Sequence, residues 1–273
     1  MPGILLVFAP MNTHPEIQTI MSGHGRIPIL LIHGAGSGAR PISGLSQLLI
    51  HSIDDCQISA VSLAGYGSAP TNPDVPVIQQ HLEVIELATQ GQSCHLVGHS
   101  MGGFLALQFA LRFPQQVRSL SLIEPVALGV LDPLQDHDVL EADRLIMRRF
   151  RDGLEDHSGI SHFISGWNQS PWQSLPEVIR DRLINMDAHI YRETSAVSID
   201  TTPLDAYRML AEKILIVCGS ETVMALRRVA QRFSALDGLA ASCWIEGARH
   251  MDVLSRPEQF TPAISSHINR YID

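Results

Sequence analysis

From residue 27 onward, short runs of consecutive apolar residues alternate with longer stretches in which apolar residues recur every three or four positions. A short apolar run bounded by turn formers reads as a buried strand, and recurrence at three and four reads as an amphipathic helix. Strands are therefore expected at 27–32 (IPILLI), 57–63, 94–97, 117–123, 214–218 and 241–245. Helical patterns lie between and after them, at 41–51, 77–90, 102–112, 225–233 and 259–271. Pro41 sits near the start of the first helix, where its missing N–H is harmless, and Gly91 sits where the second needs a C-cap. Pro114 stops the third. An earlier apolar run at 4–9 (ILLVFA) has no basic residue before it and no small-residue cleavage pattern close behind it. It is expected to be a first strand and not a secretory leader.

Alternating strand and helix implies a mostly parallel sheet flanked by helices on both faces, an α/β fold. The rhythm breaks over 129–208, where no buried strand is legible. Helical pieces are expected there at 144–150 and 178–186, with another at 206–211, and Trp167, Trp172 and Tyr191 fall among them. The expected organisation is a core made of 1–128 and 209–273, with a mainly helical insertion at 129–208.

A chain of 273 residues can bury a sizeable core without disulfides or metals to hold it. Its 19 basic and 28 acidic residues give a net charge of −9, and the two signs are interspersed. Nucleic acid and anionic membrane both require clustered Lys and Arg, so neither is expected as a partner. No stretch reaches the roughly 18 apolar residues of a membrane span. Cys56, Cys94, Cys218 and Cys243 show no CxxC spacing, and Cys94 and Cys218 lie in apolar runs. Reduced thiols and a cytoplasmic setting follow as expectations.

The sharpest local signal is Gly98-His99-Ser100-Met101-Gly102, a G-x-S-x-G between an apolar strand (CHLV) and an amphipathic helix. Such a strand-to-helix turn lifts the serine hydroxyl above the sheet, and small residues two places either side allow close backbone approach. A serine needs a base, and His250, five residues past the last strand, is the best placed of 13 histidines. His95 and His99 form an H-x-x-x-H, but that spacing makes a metal site on a helix, and here it runs along a strand. No metal is expected. Gly34 to Ala39 fits a dinucleotide fingerprint after a strand, yet the next strand tip carries Ser62 and Leu63 instead of the acid that holds a ribose. No cofactor is expected.

Taken together, 27–128 and 210–272 resemble the α/β-hydrolase superfamily, which includes cap-bearing esterases, lipases and C–C hydrolases. His33-Gly34-Ala35-Gly36 is similar to its oxyanion loop, and Ala64-Gly65-Tyr66-Gly67-Ser68 to the turn after its fourth strand. Gly98 to Gly102 matches the nucleophile elbow and Gly247 to His250 the histidine loop. The resemblance implies an oxyanion hole formed by the backbone N–H groups of Ala35 and Met101, with 129–208 as a cap after the family's sixth strand, here 117–123. Phe163, Trp167, Trp172 and Met147 are the candidates for apolar groups over the pocket. Thr222 stands where the family usually keeps its acid. The acid is then Glu124, at the tip of the sixth strand, or alternatively Glu221. Arg249 replaces a usual Gly and is expected to narrow or charge the site. The function implied is a serine hydrolase acting on an ester, thioester or lactone of a small to medium apolar molecule. The alternatives are a cofactor-free C–C hydrolase using the same triad and a non-catalytic small-ligand receptor.

Overall fold

The computed structural model describes residues 19–272. Its strands are β1 (Thr19–Ser22), β2 (Ile27–Ile32), β3 (Cys56–Val61), β4 (Cys94–His99), β5 (Val117–Ile123), β6 (Ile214–Gly219) and β7 (Ala241–Ile245). They form one sheet in the order β1-β3-β2-β4-β5-β6-β7. β1 pairs antiparallel with β3 and every other pairing is parallel. The edge strand β1 has no counterpart in the sequence reading, because TIMS is only four residues long and half polar. The strand expected at 4–9 lies outside the described residues.

Side chains of a strand alternate between faces, and here both faces are buried. Leu30, Ile32, Leu96 and Leu122 join one apolar cluster, while Ile29, Leu31, Val97 and Ile123 join the other. Helix α1 (Ala39–Ile50) covers the second face through Ile42, Leu45 and Leu49. Helices α2 (Val77–Thr89) and α3 (Met101–Arg112) cover the first. At the end of α2, Gln90 adopts φ 52° and Gly91 φ 72°, so the left-handed turn begins one residue before the expected Gly91.

Between β5 and β6 lie α4 (His137–Asp152), α5 (Ser158–Asn168), α6 (Glu177–Asn185) and α7 (Asp187–Ser198). β5 is the fifth described strand and the one the resemblance counts as sixth. α4 is longer than the piece expected at 144–150, and the one expected at 206–211 is a 3₁₀ segment over Leu204–Lys213. α5 and α7 were not legible, since each mixes polar and apolar residues without a clean stripe. Their buried Ile160, Phe163, Ile190 and Val197 nevertheless join the cluster on the sheet's first face.

After β6 come α8 (Met224–Ser234), the short α9 (Asp252–Ser255) and α10 (Thr261–Asn269). The helix expected at 259–271 starts later, preceded by a separate 3₁₀ turn at Pro257–Gln259, with Pro262 in the first turn of α10. All four cysteines carry free thiols. Among the described residues, no helix is long and apolar enough to cross a membrane.

Candidate active site

The end of β4 runs directly into α3 through Ser100, whose backbone sits at φ 57°, ψ −121°. A non-glycine residue in that region costs on the order of 1–3 kcal/mol and persists only where its surroundings fix it. They do so here. The Ser100 N–H donates to the Ile123 carbonyl at 3.0 Å, and its own carbonyl accepts from Gly103, Phe104 and Val126 at 3.0–3.2 Å. The flanking glycines are sterically required. A Cβ on Gly102 would lie under 3.0 Å from the Ile32 and His33 carbonyl oxygens, and one on Gly98 equally close to the Gly102 backbone.

Ser100 Oγ lies 3.1 Å from His250 Nε2, and His250 Nδ1 lies 2.6 Å from Glu124 Oε2. All three side chains are buried. Glu124 follows the tip of β5 at φ 48°, and its N–H donates to the Val217 carbonyl at 2.9 Å. Its Oε1 accepts from the Gly219 N–H at 2.8 Å, and its Oε2 also accepts from the Thr222 hydroxyl at 2.8 Å. Thr222 therefore stands at the position where an acid was expected, as a donor that holds the Glu124 carboxylate arriving from the neighbouring strand.

Glu221 is not brought to His250. Its side chain is half exposed and pairs with Arg249, Nε to Oε2 at 3.4 Å. That pair also corrects the expectation for Arg249. The Arg249 guanidinium points to the surface beside Glu221 and does not line the pocket that contains Ser100.

Ala35 follows β2 and Met101 opens α3. Among the described residues, neither backbone N–H has a hydrogen-bond acceptor. His33 braces the loop from below. It accepts the Leu63 N–H on Nε2 at 3.2 Å, and its Nδ1 lies 2.9 Å from the Gly34 carbonyl and 3.2 Å from the Gly38 N. Burial holds its pKa down at about 4, so it stays neutral. His99 escaped the sequence reading except as a rejected metal ligand. It donates from Nε2 to the His250 carbonyl at 3.0 Å, and its ring lies 4.8 Å from the His250 ring. Burial, together with the charge of neighbouring His250, pushes its pKa well below the ordinary imidazole value.

A cavity of about 150 Å³ opens over Ser100 and His250. Met147, Phe163 and Trp167 line it, as do Leu183 of α6 and Val197 of α7. Trp172, also expected there, instead packs at the edge of the apolar cluster and does not line the cavity. The Trp167 ring lies 5.9 Å from the His250 ring. Among the described residues Arg182 is the one Arg or Lys of the lining, and its two terminal nitrogens donate to the Gly36 and Ser37 carbonyls at 2.9 and 3.3 Å.

Comparison with known proteins bears on this arrangement. Residues 29–263 match the Alpha/beta hydrolase family. The chain is 32% identical over 113 residues to the Caenorhabditis elegans "Abhydrolase domain-containing protein abhd-5.2", a match covering 40% of this chain and 25% of that one. It is 32% identical over 120 residues to the Bos taurus "(Lyso)-N-acylphosphatidylethanolamine lipase", covering 40% of this chain and 34% of that one. The match thus spans between a quarter and about a third of the length of these curated relatives. Among solved structures it is similar to a thermophilic esterase from Thermogutta terrifontis, with a TM-score of 0.69, 18% identity and 93% of each chain covered. At that identity the likeness is one of fold.

Proposed function

Because this chain belongs to the alpha/beta hydrolase family, we propose that it is a serine hydrolase that cleaves a carboxylic ester, thioester or lactone of a small to medium apolar molecule through an acyl-enzyme. The observation that carries this reading is the continuous buried relay from Ser100 Oγ through His250 to Glu124, at 3.1 and 2.6 Å. Glu124 accepts the Nδ1–H of His250, which leaves Nε2 with its lone pair toward the serine hydroxyl. That tautomer is the one a general base requires.

In the proposed reaction Ser100 Oγ attacks the acyl carbon as its proton passes to His250 Nε2. The carbonyl π electrons move onto oxygen, where the free N–H groups of Ala35 and Met101 stabilise the anion. A donor of this kind typically contributes about 3 kcal/mol to the transition state. The tetrahedral intermediate expels the alkoxide or thiolate, which takes the proton from His250. Water then gives its proton to His250 as it attacks the acyl carbon, the bond to Ser100 Oγ breaks, His250 returns the proton to Oγ, and the acyl group leaves as the carboxylic acid. Glu124, bonded to Nδ1, steadies the imidazolium that forms.

The insertion at 129–208 acts in this account as a cap. It supplies Phe163, Ile164 and Trp167 from α5, Leu183 from α6 and Val197 from α7 to the pocket. An apolar acyl chain suits that lining, and the lipase name of one relative agrees with it. The test is turnover of a p-nitrophenyl ester series by wild type and Ser100→Ala. The variant should lose roughly 10³- to 10⁶-fold in kcat, since the members of a triad act as a unit. Near-full activity in Ser100→Ala would overturn the proposal.

A further inference from the structure

Away from Ser100, two histidines and a glutamate from separate elements converge where cap and core meet. His81 lies on α2, and His189 and Glu193 are one turn apart on α7. His81 Nε2 is 3.2 Å and His189 Nε2 3.4 Å from the same oxygen, Glu193 Oε2, and one ligand atom from each lies within 4.8 Å of the others. The side chains of His81 and Glu193 are fully buried and that of His189 is 16% exposed.

Hydrogen bonding alone leaves this cluster incomplete. His81 donates to Glu193 at 3.2 Å, whereas His189 Nε2, paired with the same carboxylate at 3.4 Å, makes no hydrogen bond of good geometry. A buried imidazole nitrogen 3.4 Å from a carboxylate oxygen, with no hydrogen bond between them, suits two ligands of one bound ion. Ligands about 2.0–2.1 Å from a tetrahedral zinc ion stand about 3.4 Å from one another. The two edges that meet at Glu193 Oε2, 3.2 and 3.4 Å, match that spacing, and the remaining edge between the histidines lies within 4.8 Å.

The surroundings fit a metal site as well. The other carboxylate oxygen, Glu193 Oε1, accepts from the Tyr66 hydroxyl, and that hydroxyl in turn accepts the Gly36 N–H at 2.7 Å. Outer partners of this type orient a metal-binding carboxylate. The His189 ring seats against Gly65, at φ 83°, where a Cβ would lie under 3.0 Å from three of its ring atoms.

We infer that His81, His189 and Glu193 bind one zinc ion, which ties α7 of the insertion to α2 of the core and, through Tyr66 and Gly36, to the loop carrying Ala35. Two imidazoles and a carboxylate suit zinc among the common divalent ions, with a fourth position left for water. Calcium and magnesium, which take oxygen ligands, do not fit this donor set.

The test uses the untagged full chain, stripped with chelator, equilibrated with zinc alone, desalted and assayed by elemental analysis, with cobalt(II) as a spectroscopic substitute. The expected result is one zinc per chain, a melting temperature raised by about 5 °C or more over the stripped protein, and the strong visible absorption of tetrahedral cobalt. His189→Gln should abolish all three. It is the variant of choice because its ring is partly exposed, and His81→Gln is its independent check. Failure to retain zinc in the wild type overturns the inference, as does stoichiometric zinc that persists in His189→Gln, which would lie elsewhere among the histidines. None of these readouts uses turnover, so their failure leaves the acyl-enzyme reading untouched. A zinc-loaded protein inactive on every ester would overturn that reading alone.

Discussion

Replacing Glu124 by Gln exchanges one oxygen for an NH₂ at almost constant volume, so it separates proton position from packing. Glu124 Oε1 accepts from the Gly219 N–H at 2.8 Å, and Oε2 accepts from both Thr222 and His250. A Gln must keep its carbonyl on the Gly219 N–H, a fixed backbone donor. That choice aims its amide protons at His250 Nδ1, which must then become the acceptor. The imidazole proton moves to Nε2, the atom that has to receive the Ser100 proton. The equivalent change in a well-studied triad lowers kcat by about 10⁴, or about 5.5 kcal/mol at 1.36 kcal/mol per decade. Thr222 can rotate its hydroxyl, so the fold should lose no more than about 1–3 kcal/mol. Glu221→Gln is the matched control. It removes one half of an exposed pair with Arg249, of a kind worth about 0–1 kcal/mol, and should leave kcat within about twofold. The assay is kcat on p-nitrophenyl butyrate, with thermal melts to confirm folding. A Glu124→Gln enzyme within about tenfold of wild type, or a Glu221→Gln enzyme more damaged than it, would refute the assignment.

Acid should destabilise the fold well above the carboxylate range. Burial holds His33 and His95 neutral, with pKa values of about 4 and about 3 against an ordinary 6.5, and keeps His99 well below that value. The unfolded chain takes up these protons first, so their contribution is complete above about pH 6.5 and is lost as pH falls toward 4. At pH 5 His33 and His95 each lower stability by about 2 kcal/mol, at 1.36 kcal/mol per unit. Urea midpoints unchanged between pH 7 and pH 5 would contradict this. Gly102→Ala should cost about 1–3 kcal/mol or more by forcing a Cβ onto the Ile32 carbonyl, and an unaltered melting temperature would show that the elbow has room to spare. Trp167→Ala should raise KM for apolar esters about tenfold, some 1.4 kcal/mol, through loss of the ring that lines the pocket beside His250. An unchanged KM across the ester series would remove Trp167 from substrate contact.

Six strands of the sheet were legible because strands of a parallel sheet buried on both faces tend to short apolar runs, such as IPILLI and ILIVC, set between turn formers and amphipathic helices. β1 was not, because an antiparallel edge strand needs only one buried face and TIMS carries little pattern. The helices of the insertion were only partly legible. α7 reads as polar because its buried positions include Glu193 and Thr194, whose partners lie on other elements or one turn back. The same blindness applies to the site. Ser100 and His250 announce themselves through steric motifs, in which glycines mark where the backbone must pass. The choice between Glu124 and Glu221 depends on which strand tip sits beside β4, and sequence alone does not fix that. Once β5 pairs with both β4 and β6, Glu124 stands between the strand that ends at Ser100 and the Gly219 N–H. Thr222 becomes intelligible only then, as a donor to Glu124. His99 carried a signal that pointed the wrong way, since an H-x-x-x-H pattern drew attention to His95, which bonds Ser119 at 2.8 Å, and away from the His250 carbonyl.

The most direct test of the central claim is labelling with a fluorophosphonate, followed by peptide mapping of the adduct by mass spectrometry. An activated serine under a buried His–Glu pair should react at Ser100 alone, and the adduct should vanish in His250→Ala while the protein stays folded. A native protein left unlabelled, or labelled at another residue, would mean that the Ser100–His250–Glu124 relay does not work as a nucleophile.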